Sequence, residues 1–417
     1  MPKFSEVLRN RNFSLLWLGQ IISQLGDRLG QMALIAFVSV KPGSSAIDIA
    51  KVLSLTIIPV FVVGPLAGVY VDRWDRRRTM YISDFLRAVL MLVIPFFLFY
   101  AKALGAIYLL IFVIYCVGRF FVPAKLSIVP DLVAKKDLLI ANSLVNITGM
   151  IAAILGFGAS GILVERLGAK GGFYLDALSF FVSGMLIFLI AKKSVSSVGF
   201  KQVGQEIVEM IRKSVFQELK EGVLYFLKNK NIRFAALVMF ILSSALGAAS
   251  VVLIAFVQEA FHSLTRDLGF FSMFLGVGLF SGSLIYGRFG HRFSQHKIIF
   301  TSLISSGIML TVFALAIGRY PYFGLATLLT FLMGFLVSPI IIATNTIIHK
   351  VSSNEMMGKT FSSLEIVMHL GFIIFMFVSG FLAQKFTHIT ILVSTGILFI
   401  ILGIVNLMLH RKLLWLD

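Results

Sequence analysis

The fold is decided by residues Gly64–Thr79, which read GPLAGVYVDRWDRRRT. An apolar segment leads into this stretch, its last seven residues include four arginines, and a second apolar segment begins at Met80. A short cationic turn between two apolar segments is typical of a membrane hairpin that closes on the cytoplasmic side. Gly64 and Gly68 leave one helix face bare, so another helix can approach closely there. Asp72 ends its own helix, where the helix dipole disfavours negative charge, so we expect it to have a partner elsewhere.

The composition is that of an integral membrane protein. Of the 417 residues, 58% are hydrophobic and 13% are charged, and the mean hydropathy is +0.96. Soluble domains contain roughly 25% charged residues, so a water-soluble fold is excluded. The single cysteine, Cys116, allows no internal disulfide and no cysteine-based metal cluster.

The net charge of +18 is explained by where the basic residues lie. If the termini and the central loop are cytoplasmic, 26 of the 37 Lys and Arg residues lie on the cytoplasmic side. Eight lie on the opposite side, and Arg28, Arg87 and Arg119 lie within spans. The positive-inside rule then predicts a multi-pass protein of an inner or plasma membrane with both termini in the cytoplasm. Each basic residue near an anionic leaflet gains about 1 kcal/mol, so we expect contact with anionic lipids and none with nucleic acid.

Twelve segments reach the length of about 20 apolar residues that a membrane-spanning helix needs. They lie near residues 13–40, 46–71, 79–101, 104–127, 138–165, 172–191, 232–257, 267–287, 297–317, 321–348, 357–385 and 388–409. The sequence therefore predicts an all-α membrane protein with an N-terminal six-helix half at 1–191 and a C-terminal six-helix half at 232–417. Between them, residues 192–231 are predicted to form a basic cytoplasmic linker that contains an amphipathic helix.

The two predicted halves contain a weak internal repeat. Asp72–Arg77 lies over Gly287–Arg292, and Pro123 in the fourth span lies at a similar offset from Pro339 in the tenth. A duplication about an axis along the membrane normal is one of the known plans of membrane transporters, so we expect two pseudo-symmetric bundles.

The cationic turn resembles the signature loop of the major facilitator superfamily (MFS), Gly-x-x-x-Asp-Arg-x-Gly-Arg-Arg. The matching residues here are Gly68, Asp72, Arg73, Arg76 and Arg77. Asp75 stands at the second glycine of the signature, and the second-half copy has Gly290 there but Gly287 in place of the aspartate. The resemblance covers essentially the whole chain and implies a transporter that works by alternating access between two halves.

Further stretches are similar to the macrolide-efflux and enterobactin-exporter branch of this superfamily. They are Arg119–Ala124, Ile128–Leu132 with Ala141 and Asn142, and Asp176–Phe180. Ser23–Asp27 in the first span is similar to lysophospholipid transporters. Drug–proton antiporters carry a Gly-Pro pair in span five, whereas Gly156, Gly158 and Gly161 here are followed by no proline. The resemblance therefore implies transport and leaves proton antiport open.

Four polar residues lie on one face of the first span. Gln20, Gln24, Asp27 and Gln31 are spaced 4, 3 and 4 residues apart, with Arg28 beside them. At about 100° per residue, the four lie within roughly 60° of arc. A charge at the bilayer centre costs roughly 3 kcal/mol, so we expect this face to line a central cavity in which Asp27 binds a proton or a cationic group. The alternative is a polar contact between helices, with Asp27 neutralised by Arg28 or by an arginine of another helix.

Two other spans contribute candidates for the same cavity. Glu365 and His369 lie one turn apart in span eleven, and a carboxylate beside an imidazole can exchange protons near neutral pH. The alternative for this pair is helix packing. By resemblance, Arg119 in span four couples protonation to conformational change or contacts an anionic substrate group, and its alternative is snorkelling toward the interface.

The cationic turn is predicted to belong to a cytoplasmic gate. Its members are Gly64, Gly68, Asp72, Arg73, Arg76, Arg77, Asp84 and Arg87. Asp84 and Arg87, three residues apart in span three, can pair with each other or join Asp72. Asp176 in span six is expected to act as a cap or in a structural pair. The alternative for the turn is a simple topological anchor.

The sequence contains no P-loop and no nucleophile elbow, so we expect neither an enzyme nor a cofactor or metal, and an ion gradient as the energy source. Our interpretation is a monomeric secondary active transporter that exports a hydrophobic or amphipathic small molecule, coupled to protons. One alternative is a lysophospholipid transporter without proton coupling. Another is a non-transporting membrane sensor or scaffold, against which a buried Asp27 argues.

Overall fold

The computed structural model describes residues 4–40, 43–64, 67, 70, 74–98, 104–191, 229–352 and 354–413. The regular structure within these ranges is helical. The helices are α1 Phe4–Leu8, α2 Arg11–Ser39, α3 Ala46–Val62, α4 Arg76–Phe96, α5 Leu104–Leu132, α6 Leu138–Phe188, α7 Lys230–Phe261, α8 Arg266–Phe289, α9 Gln295–Arg319, α10 Phe323–Val351, α11 Asn354–Leu382 and α12 His388–Leu413. The amphipathic helix predicted in the basic linker lies outside the described residues.

Short polar side chains set several of the helix ends. Asn10 precedes α2, and its side-chain oxygen accepts hydrogen bonds from the backbone N–H groups of Asn12 and Phe13 at 3.1 and 3.2 Å. Asp75 caps α4 by accepting from the backbone N–H of Arg78 at 2.9 Å. The first N–H groups of a helix have no partner within the helix, and a cap of this kind contributes about 1 kcal/mol.

The helix α6 consists of two membrane spans joined at a break. Its 51 residues are interrupted at Gly168, whose φ of 69° and ψ of 177° are accessible essentially to glycine alone. Nine helices in the described ranges are long and apolar enough to cross a membrane, and α6 is one of them. The remaining two spans are α2, with 29 residues and a polar face, and α3, described over 17 residues. The predicted all-α fold with twelve spans is confirmed.

The chain divides into two compact units. Unit 1 comprises Met1–Val38 and Val52–Val215. Within it, α4 packs against α5 and against α6. Its core is built from large apolar side chains that are almost fully buried, among them Phe13, Leu16, Met80, Phe121, Ile128 and Ile187. This packing fixes the polar residues of α2, α4 and α6 that are described below.

Unit 2 comprises Ser39–Lys51 and Phe216–Asp417. Within it, α7 packs against α11, α8 against α10, and α9 against α12. The segment Ser39–Lys51 contacts helices of unit 2 and is grouped with it, and the predicted bounds of the two six-helix halves stay a prediction. The hydroxyl of Ser39 donates to Oε1 of Gln258 at 3.0 Å, and a Cβ on Gly380 would lie 3.1 Å from Cα of Ile47.

Candidate functional site

The polar residues of α2 make their contacts inside unit 1. Gln20 is buried, and Gln24, Asp27 and Gln31 are half-buried. Gln24 lies against α6, where a Cβ on Gly149 would be 3.1 Å from its Oε1. Among the described residues, Nε2 of Gln20 has no hydrogen-bond partner. The face therefore contains a buried amide donor without a partner and, about two turns further along α2, a half-exposed carboxylate.

Asp27 contacts the interior of unit 1 through Arg87 of α4. Nη1 of Arg87 lies 3.8 Å from Oδ1 of Asp27, and Nη2 of the same guanidinium donates to Oδ1 of Asp84. The hydroxyl of Ser183 in α6 donates to Oδ2 of Asp84 at 2.6 Å. The side chain of Asp84 is fully buried and that of Arg87 is 8% exposed, whereas that of Asp27 is 43% exposed. One arginine thus contacts both a buried and an accessible carboxylate.

Two aromatic rings hold the Arg87 guanidinium in place. Its Cζ lies 4.0 Å from the ring centre of Phe180 and 5.0 Å from that of Phe121. An aromatic face attracts a cation without using its N–H groups, so the donors of Arg87 stay available for the two acids. Sequence reasoning did not assign these rings or Ser183 to the site. They lie on other helices, and nothing in the sequence indicates that these helices pack next to Arg87.

Arg28 does not neutralise Asp27 by pairing with it. Its Nη1 donates to Oε1 of Gln31 at 2.8 Å, and its Cζ lies 4.7 Å from the ring centre of Phe157 in α6. A Cβ on Gly156 would be 3.0 Å from Cγ of Arg28, so this glycine makes room for the arginine stem. The arginine of another helix that the sequence left as an option for Asp27 is Arg87.

A second face of α2 consists of glycines and packs against the second half of α6. A Cβ on Gly26 would overlap the hydroxyl of Ser179, and a Cβ on Gly30 would overlap Oδ2 of Asp176. Asp176 is 1% exposed and lies in the interior of α6. It is therefore not a helix cap, and its carboxyl group packs against α2 at Gly26 and Gly30. Sequence reasoning missed this face, although the recurrence of glycine along α2 was a signal that could have indicated it.

The arginines of the cationic turn bind helix ends of unit 1. Nη1 of Arg76 lies 2.6 Å from Oδ2 of Asp131 and donates to the carbonyl oxygen of Ser127 at 2.9 Å, near the end of α5. Arg77 donates to the carbonyl oxygen of Phe188, the last residue of α6. A cation at a helix C-terminus complements the helix dipole, so both residues fasten the cationic turn to its own unit.

In the cationic turn, the structure also describes Asp75 in detail and Gly64 in part. Asp75, which departs from the signature of the superfamily, is the N-cap of α4, and this role explains the departure. A Cβ on Gly64 would meet no atom of the described residues within 4 Å. Its packing role stays a prediction, as do the roles of Gly68, Asp72 and Arg73, which lie outside the described residues.

The remaining candidates lie on α11 and α5. Nδ1 of His369 lies 2.8 Å from the backbone carbonyl oxygen of Glu365, whose side chain is exposed. A proton-exchanging pair at these two residues stays a prediction. Arg119 is half-buried in α5, close enough to Asp27 for the two charges to interact.

Comparisons with known proteins agree with this architecture. A family model described as a transmembrane secretion effector of the MFS type matches residues 4–413. The MFS-type transporter YkuC of Bacillus subtilis (strain 168) is 26% identical over 85% of this chain and 81% of its own length. Macrolide efflux protein A of Streptococcus pyogenes is 23% identical over 72% of each chain. The crystal structure of nucleoside transporter NupG has the same fold, with a TM-score of 0.72 at 14% identity over 96% of this chain and 98% of that one.

Proposed function

Because the chain belongs to the transmembrane secretion effector family of the major facilitator superfamily, we propose that it exports a hydrophobic or amphipathic small molecule in exchange for protons. The chain is a multi-pass membrane transporter by family, and its similarity to a macrolide efflux protein favours export of bulky, largely apolar compounds. The proposal includes alternating access, a monomeric state and both termini in the cytoplasm.

The observation that carries the proposal is the position of Asp27. Its accessible carboxylate lies on the polar face of a membrane-spanning helix, 3.8 Å from a buried arginine that already binds Asp84. An ionisable residue at membrane depth is costly and therefore tends to be functional. A purely structural pair would be satisfied by Asp84 alone, so the accessible acid is available to a ligand.

Exchange of a proton for substrate at Asp27 follows from the net charge of Asp27, Arg87 and Asp84. When Asp27 is ionised, it and the Arg87–Asp84 pair together carry one negative charge, which attracts a cationic or polar group of the substrate. When Asp27 binds a proton, the three side chains together carry no net charge and this attraction is lost. Proton and substrate then compete for one carboxylate, and alternating access converts that competition into antiport.

The test uses purified protein in liposomes with an imposed pH gradient. A labelled macrolide and a lipophilic cationic dye serve as probes, and labelled lysophosphatidylethanolamine tests the lipid alternative. We expect gradient-dependent accumulation of at least one probe, falling to the level of protein-free liposomes when an ionophore collapses the gradient. Accumulation of a probe to the same level with and without the pH gradient contradicts proton coupling. Transfer of the lipid alone, without a gradient, supports the lysophospholipid alternative, and transfer of none supports a sensor or scaffold.

A further inference from the structure

Three polar residues lie on one buried face in the second half of α6. Asp176, Ser179 and Ser183 follow at intervals of three and four residues, and none is more than 8% exposed. The hydroxyl of Ser183 donates its hydrogen bond to Asp84. Asp176 is a buried titratable group that the proposed exchange at Asp27 does not use.

The carboxyl group of Asp176 fits a notch in the backbone of α2. A Cβ on Gly26 would lie 2.8 Å from Oδ1 of Asp176, and a Cβ on Gly30 would lie 3.2 Å from its Cγ and overlap Oδ2. Both carboxyl oxygens therefore face positions where any side chain larger than hydrogen is excluded. The two helices are in contact through this group.

The surroundings of Asp176 differ from those of the other acids in unit 1. Asp27 and Asp84 both reach the guanidinium of Arg87, whereas no ion pair joins Asp176 to a cation among the described residues. Its hydrogen-bonding neighbour is Ser179, whose hydroxyl lies 3.4 Å from Oδ1 and donates to the backbone carbonyl oxygen of Asp176 at 2.7 Å. A buried carboxylate without a cation is strongly disfavoured, and a neutral carboxyl group avoids that cost.

The charged and titratable groups whose fields reach Asp176 belong to three packed elements. They are Asp27 of α2, Asp84 and Arg87 of α4, and Tyr115 of α5. The cation in this group is Arg87, and its guanidinium already contacts the two carboxylates of Asp27 and Asp84.

We propose that Asp176 carries a proton in this conformation and that the neutral carboxyl group in the Gly26–Gly30 notch holds α2 against α6. If α2 leaves the notch, water reaches the group, the O–H bond breaks, the electron pair stays on the carboxylate and the proton passes to water. Asp176 is then a second proton site, distinct from the one at Asp27, and its occupancy depends on the position of α2. This role deepens the proposed function but does not require a known substrate to be tested.

The test is infrared spectroscopy of the purified protein at pH 8, where exposed carboxyl groups are ionised. The C=O stretch of a protonated carboxyl group is separate from the carboxylate bands. We expect this band in the wild-type protein, its loss in Asp176→Asn, and its retention in Asp267→Asn. Asp267 is a matched control, because it is equally buried but lies 3.0 Å from Arg266.

A wild-type spectrum without the band overturns the proposal before any variant is made. An Asp176→Asn spectrum whose band is as strong as that of the wild-type protein, with the fold verified by thermal unfolding, also overturns it. If the asparagine variant does not fold, Asp176→Ser removes the carboxyl group in a smaller side chain and gives the same comparison. Because these spectra need no transport, failure of gradient-driven export leaves this result unaffected, and the reverse also holds.

Discussion

The interiors of the two units differ in the kind of polar group that they bury. In unit 1 the buried polar residues include Asp84, Arg87 and Asp176 deep within spans. In the described part of unit 2 they are hydroxyls such as Ser306, Thr344 and Ser363, together with Asp267, which lies in the first turn of α8 and pairs with Arg266. A buried charge costs far more than a buried hydroxyl, so the charges of unit 1 are unexplained by stability alone. This difference is the reason why we propose that the titrating residues of the transporter lie in unit 1.

Glycines of the two units also differ in the kind of group that they face. In unit 1, Gly26 and Gly30 make room for a serine and an aspartate of α6. In unit 2, a Cβ on Gly247 would overlap the backbone carbonyl of Phe372, and glycines of α8 and α10 meet each other's backbones in the same way. Small residues let backbones approach closely in a membrane, so unit 2 is a tightly packed scaffold. In unit 1, the glycines of α2 at positions 26 and 30 instead face the polar side chains of Ser179 and Asp176.

The largest effect is expected when the central cation of unit 1 is removed. Arg87→Ala leaves Asp84 buried without its cation, and breaking a buried pair costs roughly 3–5 kcal/mol. Thermal unfolding in detergent measures the loss. The matched change in unit 2 is Ser306→Ala, which removes a hydroxyl that has no partner among the described residues and should be close to neutral. Similar losses of stability in the two variants would contradict the difference in buried charge between the units.

A smaller effect is expected from filling the glycine contacts of unit 2. Gly247→Ala places a methyl group against the rigid backbone of Phe372, and overpacking of this kind costs about 1–3 kcal/mol. Gly118→Ala in α5 is the control, since the nearest atom to its Cβ would be 3.7 Å away, on Arg87. Alanine is a better helix former than glycine by about 1 kcal/mol, so the control should be neutral or stabilised. Equal unfolding temperatures for both variants would contradict the close packing of α7 on α11.

The sequence predicted the fold well because its signals are local. Twelve apolar segments of sufficient length, the basic turns between them and the signature around Arg76 and Arg77 are all read without knowledge of packing. The polar face of α2 was also predicted, since 3.6-residue periodicity places Gln20 to Gln31 on one side.

The contacts that give this face its chemistry were not predictable. Arg87 was predicted for a cytoplasmic gate, yet its guanidinium reaches Asp27, 60 positions earlier in the chain. Asp176 was expected to act as a cap or in a structural pair, and the glycines of α2 against which it packs were not foreseen. Such pairings depend on which helix faces are brought together and at what depth, and neither is encoded in the spacing within a single helix.

The central claim is that the accessible acid of unit 1 couples protons to transport. The most direct measurement compares Asp27→Asn with the wild-type protein in liposomes, using whichever probe the wild-type protein accumulates. Without a gradient, exchange of labelled for unlabelled probe reports transport itself, and with a pH gradient, net accumulation reports coupling. We predict that Asp27→Asn loses at least ten-fold in gradient-driven accumulation, about 1.4 kcal/mol of coupling or more, while exchange persists at higher probe concentration, because the neutral side chain attracts the probe less. Accumulation by Asp27→Asn at the wild-type level under the same gradient would contradict the account.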